Sequence, residues 1–238
     1  MSAAQNIFPT PASPRRDSPA AVIVAIDGPG ASGKSSTARE LAKLLGFLYV
    51  DTGAMYRTLA WHCLRKKVDV TNARSVGAAC RNWRTSLAAV EGQVRLLVEG
   101  RFPGDAIRTV EVTEAASKIA VIPAVRKWMK LTQRECRNFG NLVMEGRDIG
   151  TNVFPETNFK FFLDASAIVR ARRRESEGRR EQLPERDHRD SQRREAPLMV
   201  SLGAVRIDNS DKTLAQTVGE IVAVVEARMQ ESLRAARV

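Results

Sequence analysis

Gly28-Pro29-Gly30-Ala31-Ser32-Gly33-Lys34-Ser35 carries the complete pattern G-x-x-x-x-G-K-[ST]. Ahead of it, Ala21-Val22-Ile23-Val24-Ala25-Ile26 is an unbroken apolar run, the mark of a strand buried on both faces of a parallel sheet. Behind it, Ser35 to Leu45 carries helix formers and stops at Gly46. Strand, glycine-rich turn and helix together make a phosphate cradle. The glycines let backbone N–H groups converge on phosphate oxygens, and the helix N-terminus adds positive field. The pattern assigns Gly28 to Ser35, with Ser36 beside them, to a nucleoside triphosphate. Lys34 reaches the terminal phosphates and the Ser35 hydroxyl helps hold Mg²⁺.

The rest of the chain sets bounds on what uses that triphosphate. A length of 238 residues suits one large α/β domain or one with insertions. No apolar run is long enough to span a bilayer. The first twenty residues hold four prolines and two arginines without an apolar stretch, so no secretory signal is expected. Residues 1–19 read as a disordered tail before the first strand. Cys63, Cys80 and Cys136 are odd in number and widely spaced, which points to isolated thiols in a reducing cytoplasm. The net charge of +11 raises nucleic acid as a partner. Between Arg170 and Arg194, however, arginines alternate with acidic residues, as on a salt-bridged solvated helix. Aromatics make up only 5% of the chain and are not interleaved with that run, so a stacking platform for single strands is not expected. Arginine is also the residue that grips small phosphates bidentately.

Further apolar runs suit a parallel sheet. Phe47-Leu48-Tyr49-Val50 ends at Asp51, Asn141-Leu142-Val143-Met144 at Glu145, Phe159-Lys160-Phe161-Phe162-Leu163 at Asp164, and Ala204-Val205-Arg206-Ile207 at Asp208. Helical patterns lie between them over Ala54–Lys66, Thr113–Asn138, Ile168–Glu181 and Thr213–Ala236. The alternation predicts an open, mostly parallel sheet covered on both faces. Ligands in such sheets gather at the carboxyl ends of the strands, where Asp27, Asp51, Glu145, Asp164 and Asp208 fall. From about Val68 to Val112 the alternation breaks. Ser86–Val90, the turn Glu91-Gly92-Gln93 and Val94–Val98 predict a β-hairpin, an antiparallel insertion suited to substrate recognition.

A phosphate-binding loop alone leaves kinase, GTPase and motor ATPase open. No N-K-x-D-type guanine determinant is present, which argues against the GTPase. The ATPase could use Glu145 or Asp164 as a metal-linked acid. Three further segments bear on the choice: Asp51-Thr52-Gly53-Ala54-Met55-Tyr56-Arg57, Glu145-Gly146-Arg147-Asp148-Ile149-Gly150, and Arg186-Asp187-His188-Arg189-Asp190-Ser191-Gln192-Arg193.

Together with the phosphate loop, these segments closely resemble the bacterial cytidylate kinases, a family of nucleoside monophosphate kinases, from about Val22 to Val225. The resemblance implies a three-layer P-loop fold with a monophosphate-binding insertion at about 68–112 and a helical lid at about 170–190. It implies transfer of the ATP γ-phosphoryl to CMP or dCMP with Mg²⁺, by a cytoplasmic monomer without nucleic-acid or membrane partners. By position, it places Tyr56 and Arg57 at the CMP site with Thr52 beside them, and Arg57 and Arg147 on the acceptor phosphate. Asp148, Ser117 and Arg126 would face the base. Arg186 and Asp190 would touch the ribose, and Arg193 phosphate. Lys34, Arg147 and Arg193 are the expected catalytic groups.

The chemistry of cytosine agrees with that assignment. Its N4 amino group donates to a carboxylate, and N3 and O2 accept from a guanidinium. Uracil would set O4 against Asp148, the kind of mismatched polar pair that discriminates strongly. Each residue also has a structural alternative: Tyr56 as core packing, the arginines as surface ion-pair partners, Asp51 as a helix cap, Ser117 as an ordinary mid-helix serine. Asp27 is a further candidate to act on the metal through water. Arg170, Arg173, Arg174, Arg189 and Arg193 are the candidates to close over the transferring group. Between Arg174 and Glu185 the chain is shorter than the helical arm the family commonly carries, which leaves the assignment among these arginines open. An NMP kinase preferring UMP, and a P-loop ATPase binding nucleic acid through the arginine-rich region, are the alternatives.

Overall fold

The run Ile23–Asp27 forms β1, and all five of its residues are buried. Side chains alternate across a strand, so Ile23 and Ala25 enter one core while Val24 and Ile26 enter the other. This is why the run is apolar without interruption. The computed structural model describes residues 21–176, 191 and 197–235. Beyond β1 it contains α1 (Lys34–Leu45), β2 (Leu48–Asp51), α2 (Thr52–Arg65), α3 (Ala73–Asn82), β3 (Thr85–Val90) and β4 (Gln93–Val98). There follow α4 (Val110–Ile119), α5 (Pro123–Glu135), β5 (Leu142–Gly146), β6 (Phe159–Asp164), α6 (Ala167–Ser176), β7 (Val205–Asp208) and α7 (Leu214–Ala235).

The seven strands form one sheet in the order β3-β4-β2-β5-β1-β6-β7. Every pairing is parallel except that of β3 with β4. One core packs α2, α3, α4 and α5 against the sheet around Met55, Leu59, Val125 and Met144. The other packs α1 and α7 around Leu41, Phe161, Ile221 and Val225. Helices on both faces of a mostly parallel sheet give the expected three-layer α/β architecture. No described helix is long and apolar enough to cross a membrane.

Gly46 ends α1 as predicted, at φ 66°, with its N–H on the Ala42 and Lys43 carbonyls. The hairpin also forms as predicted, with Ala88 opposite Arg95 and Val90 opposite Gln93. Its second strand continues the central sheet, pairing with β2 at Tyr49 and Gln93. Two expectations need correction. The single helix expected over Thr113–Asn138 is two helices, because Pro123 cannot donate to a preceding turn and pushes Ile122 to an extended ψ of 119°. Pro123 then serves as the first residue of α5. Within the insertion, α3 was not anticipated; Asn72 caps it by accepting from the N–H groups of Arg74 and Ser75. The expected tail at 1–19, and the part of the predicted helix Ile168–Glu181 beyond Ser176, lie outside the described residues.

Candidate active site

Turning from β1 into α1 within a few residues requires backbone that side chains resist. Gly28 sits at φ +150°, where a Cβ would lie 2.0 Å from the Leu163 carbonyl oxygen of β6. Gly33 sits at φ +90°, where a Cβ would lie 2.8 Å from Asn209 Nδ2. Ala31 takes the left-handed region as well, at φ 58°. Lys34 is buried, and its Nζ donates to the Pro29 carbonyl at 2.5 Å and the Ser32 hydroxyl at 3.3 Å. The loop is therefore tied back on itself around the one cation it carries.

Glu145, at the carboxyl end of β5, is where several elements meet. Ser35 Oγ donates to its Oε2 at 2.8 Å, and the Tyr49 hydroxyl of β2 donates to its Oε1. Thr52 Oγ1 donates to its backbone oxygen at 2.7 Å. Burial, and then the neighbouring Asp51 charge, push the Glu145 carboxyl above its usual range, against the pull of Lys34. Asp27, the candidate to act on the metal through water, is engaged with backbone donors. Its carboxylate accepts from the N–H groups of Ile149 and Gly150, both at 2.8 Å, and clamps a π-helical turn over Ile149–Val153. Burial raises Asp27 to about 6. The strand-end acid that touches Ser35 is thus Glu145. Asp164, the other acid considered, pairs with Arg206 at 2.9 Å.

A cleft of about 1360 Å³ opens beside these groups. Gly30 to Ser36 form one wall, Asp51, Gly53, Arg57 and Ser117 another, and Glu145, Gly146 and Arg147 the floor between them. Asp51 caps α2 by accepting from the Ala54 N–H at 2.7 Å, and its second oxygen pairs with Arg57 Nη2 at 3.0 Å. Arg57 Nε is buried and has no acceptor among the described residues. Ser117 Oγ donates to the Thr113 carbonyl at 3.3 Å, one turn back in α4. Arg126, from α5, pairs with Asp148 at 2.6 Å, both side chains nearly sealed from solvent. Arg126 also donates to the Tyr56 hydroxyl at 3.4 Å, and Asn152 donates to Asp148 at 2.9 Å. Tyr56, Arg126 and Asp148 therefore come together, but none of them lines the cleft.

Among the arginines expected to close over the site, Arg173 and Arg174 line the cleft from α6. Arg170 is engaged with the Ala165 carbonyl at 3.1 Å and the Gly30 carbonyl at 3.2 Å, so it braces the loop. Arg186, Arg189, Asp190 and Arg193 lie outside the described residues. Sequence reasoning passed over two contributors. Tyr49 is the only side chain with a polar tip in its apolar run, and Asn209 directly follows the last strand-end aspartate; these were the available signals.

The comparisons with known proteins converge on one family. The family model for cytidylate kinase matches residues 24–227. A cytidylate kinase from Solibacter usitatus is 43% identical over 223 residues, covering 87% of this chain and 94% of that protein. One from Chlamydia caviae is 39% identical over 218 residues, covering 87% and 100%. One from Anoxybacillus flavithermus is 37% identical over 220 residues, covering 88% and 98%. The family model spans nearly all of the described fold, and the chain belongs to the cytidylate kinase family.

Proposed function

We propose that the protein transfers the γ-phosphoryl group of ATP to the α-phosphate of CMP or dCMP. The observation that carries this reading is the single cleft in which the glycine loop faces Arg57, Ser117 and Arg147. Two anionic substrates bound on these walls would meet end to end. Arg57 Nε, a buried donor without an acceptor among the described residues, suits a phosphate oxygen.

In the reaction an oxygen of the acceptor α-phosphate forms a bond to the γ-phosphorus, and the bond from γ-phosphorus to the bridging oxygen breaks. ADP leaves, and the acceptor becomes CDP or dCDP. The attacking oxygen is already ionised, so the protein contributes position and charge more than proton transfer. The backbone amides of Gly30–Ser35 hold the donor phosphates. Lys34 exchanges its contacts with Pro29 and Ser32 for the β and γ oxygens. Arg57 and Arg147 hold the acceptor phosphate, and Arg173 and Arg174 face the transferring group from α6.

The donor set beside the loop, a hydroxyl and a carboxylate 2.8 Å apart, fits Mg²⁺, a hard cation that takes few protein oxygens and keeps several waters. Ser35 would hold it directly and Glu145 through water, and it would supply neutralisation of the triphosphate charge.

Base choice falls to the buried pair. Both bonds to Asp148 end on Oδ2; Oδ1 then suits the N4 amino group of cytosine, while Arg126 suits N3 and O2. Ser117 lines the cleft from α4. Thr52 and Tyr56 support this wall, Thr52 by its bond to the Glu145 backbone and Tyr56 by its bond from Arg126. Arg186, Asp190 and Arg193 would complete the ribose and phosphate contacts.

The decisive experiment measures ADP release from ATP and Mg²⁺ with CMP, dCMP, UMP, AMP, GMP or single-stranded RNA. Turnover with CMP and dCMP well above the rest is expected, and Lys34→Met should abolish it. Equal turnover with UMP would overturn the base assignment, and stimulation by RNA alone would overturn the kinase.

A further inference from the structure

Three carbonyl oxygens of the glycine loop are held by side chains. Lys34 Nζ takes that of Pro29, Arg170 Nη1 that of Gly30, and Asn209 Nδ2 that of Ser32 at 2.8 Å. In a trans peptide the C=O and the following N–H point in opposite directions. Fixing a carbonyl therefore fixes the next donor, and Asn209 sets the direction of the Gly33 N–H. Its amide also fills the space beside Gly33 that a Cβ would need.

Asn209 is itself fixed. It is only 4% exposed, and its backbone N–H donates to the Asp164 carbonyl at 3.0 Å, just past the β6–β7 ladder. Arg173 of α6 donates to it twice: Nη1 to the amide oxygen at 3.1 Å and Nη2 to the backbone oxygen at 3.0 Å. One buried amide thus donates into the phosphate loop and accepts from an arginine that lines the cleft.

We propose that Asn209 is a positioning residue of the donor site, holding the Gly33 amide and Arg173 in register for an incoming nucleoside triphosphate. The inference rests on the donor assignment made above for this cleft. No other side chain of similar size serves both bonds in the same way. Aspartate keeps the acceptor for Arg173 but sets an anionic oxygen against the Ser32 carbonyl, and alanine keeps neither bond.

The test compares wild type, Asn209→Asp and Asn209→Ala. ATP affinity is measured by calorimetry without acceptor, together with KM for ATP, KM for CMP and the melting temperature. Losing the donor to a buried carbonyl is expected to weaken ATP binding about tenfold in both variants. KM for CMP should stay within about twofold, since Asn209 touches nothing on the acceptor wall. Unchanged ATP affinity in Asn209→Asp would overturn the inference. So would an equal loss for both substrates accompanied by a large fall in melting temperature, the signature of a merely structural role. Should Asn209→Ala not fold, the nearly isosteric Asn209→Asp carries the measurement alone. Wild type that fails to bind ATP would instead overturn the donor assignment itself.

Discussion

The Arg126 guanidinium meets the Asp148 carboxylate at 2.6 Å, with only 5% and 10% of the two side chains exposed. The pair ties α5 to the turn after β5, where the Asp27 clamp begins. Charges this deeply buried are held in place by each other, and removing one leaves the other without compensation. Asp148→Asn is therefore expected to cost about 3 kcal/mol in urea unfolding. The double variant Arg126→Met/Asp148→Leu, which removes both charges, should be more stable than either single change. CMP turnover should be lost in each of these variants, while ATP binding persists. A double variant no more stable than Asp148→Asn would show that the pair contributes by geometry and not by charge compensation.

Asp27 gives a pH dependence of definite sign. Its folded value of about 6 lies above the ordinary 3.8, so the folded state binds the proton more tightly than the unfolded chain. Its contribution is fully present below about pH 3.8 and is lost as the pH rises through about 6. A difference of roughly two units corresponds to about 3 kcal/mol. Asn cannot titrate, so subtracting Asp27→Asn isolates this group from the other carboxylates. Wild-type stability minus that of Asp27→Asn should fall by about 2.5 kcal/mol between pH 4 and pH 7. A flat difference would refute the assignment.

Gly28 and Gly46 both take positive φ, yet their surroundings differ. A Cβ at Gly28 would meet the Leu163 oxygen at 2.0 Å, whereas nothing lies within 4 Å of one at Gly46. Gly46→Ala should cost about 1 kcal/mol, the strain of the backbone conformation alone. Gly28→Ala must also part β1 from β6, and should cost about 3 kcal/mol or more with loss of ATP binding. Similar thermal unfolding for the two variants would contradict the close approach of β1 to β6.

What could be seen in the sequence was local. The apolar run before Gly28, the stop at Gly46, the hairpin turn at Glu91-Gly92 and the strand-end acids each announce themselves within a few residues. Pro123 was equally visible, and its restriction on Ile122 would have divided the long helix. The contacts that organise the site span great distances along the chain. Ser35 and Glu145 are 110 residues apart, Tyr49 and Glu145 96, Ser32 and Asn209 177. A carboxylate at a strand end reads the same whether it clamps backbone, as Asp27 does, or faces a phosphate loop, as Glu145 does. Only the sheet order, which places β5 between β1 and β2, separates the two roles.

That order also puts Tyr49 beside Glu145, and the last expectation follows from it. Burial and the Glu145 charge push the Tyr49 phenol well above its usual range, so at any working pH it keeps its proton and donates it. The bond stabilises the ionised form of a carboxyl that burial otherwise disfavours. Tyr49→Phe removes the hydroxyl and little volume, leaving Ser35 as the side-chain donor to Glu145. Glu145 should then take up a proton more readily, and the acid limb of kcat/KM for phosphoryl transfer should move to higher pH. The Mg²⁺ concentration for half-maximal rate should rise about tenfold, the effect of one hydrogen bond to a charged group. KM for CMP should not change, because Tyr49 contacts none of Tyr56, Arg126 and Asp148. A variant with the wild-type acid limb and Mg²⁺ requirement would mean that Glu145 braces the sheet ends without acting on the metal.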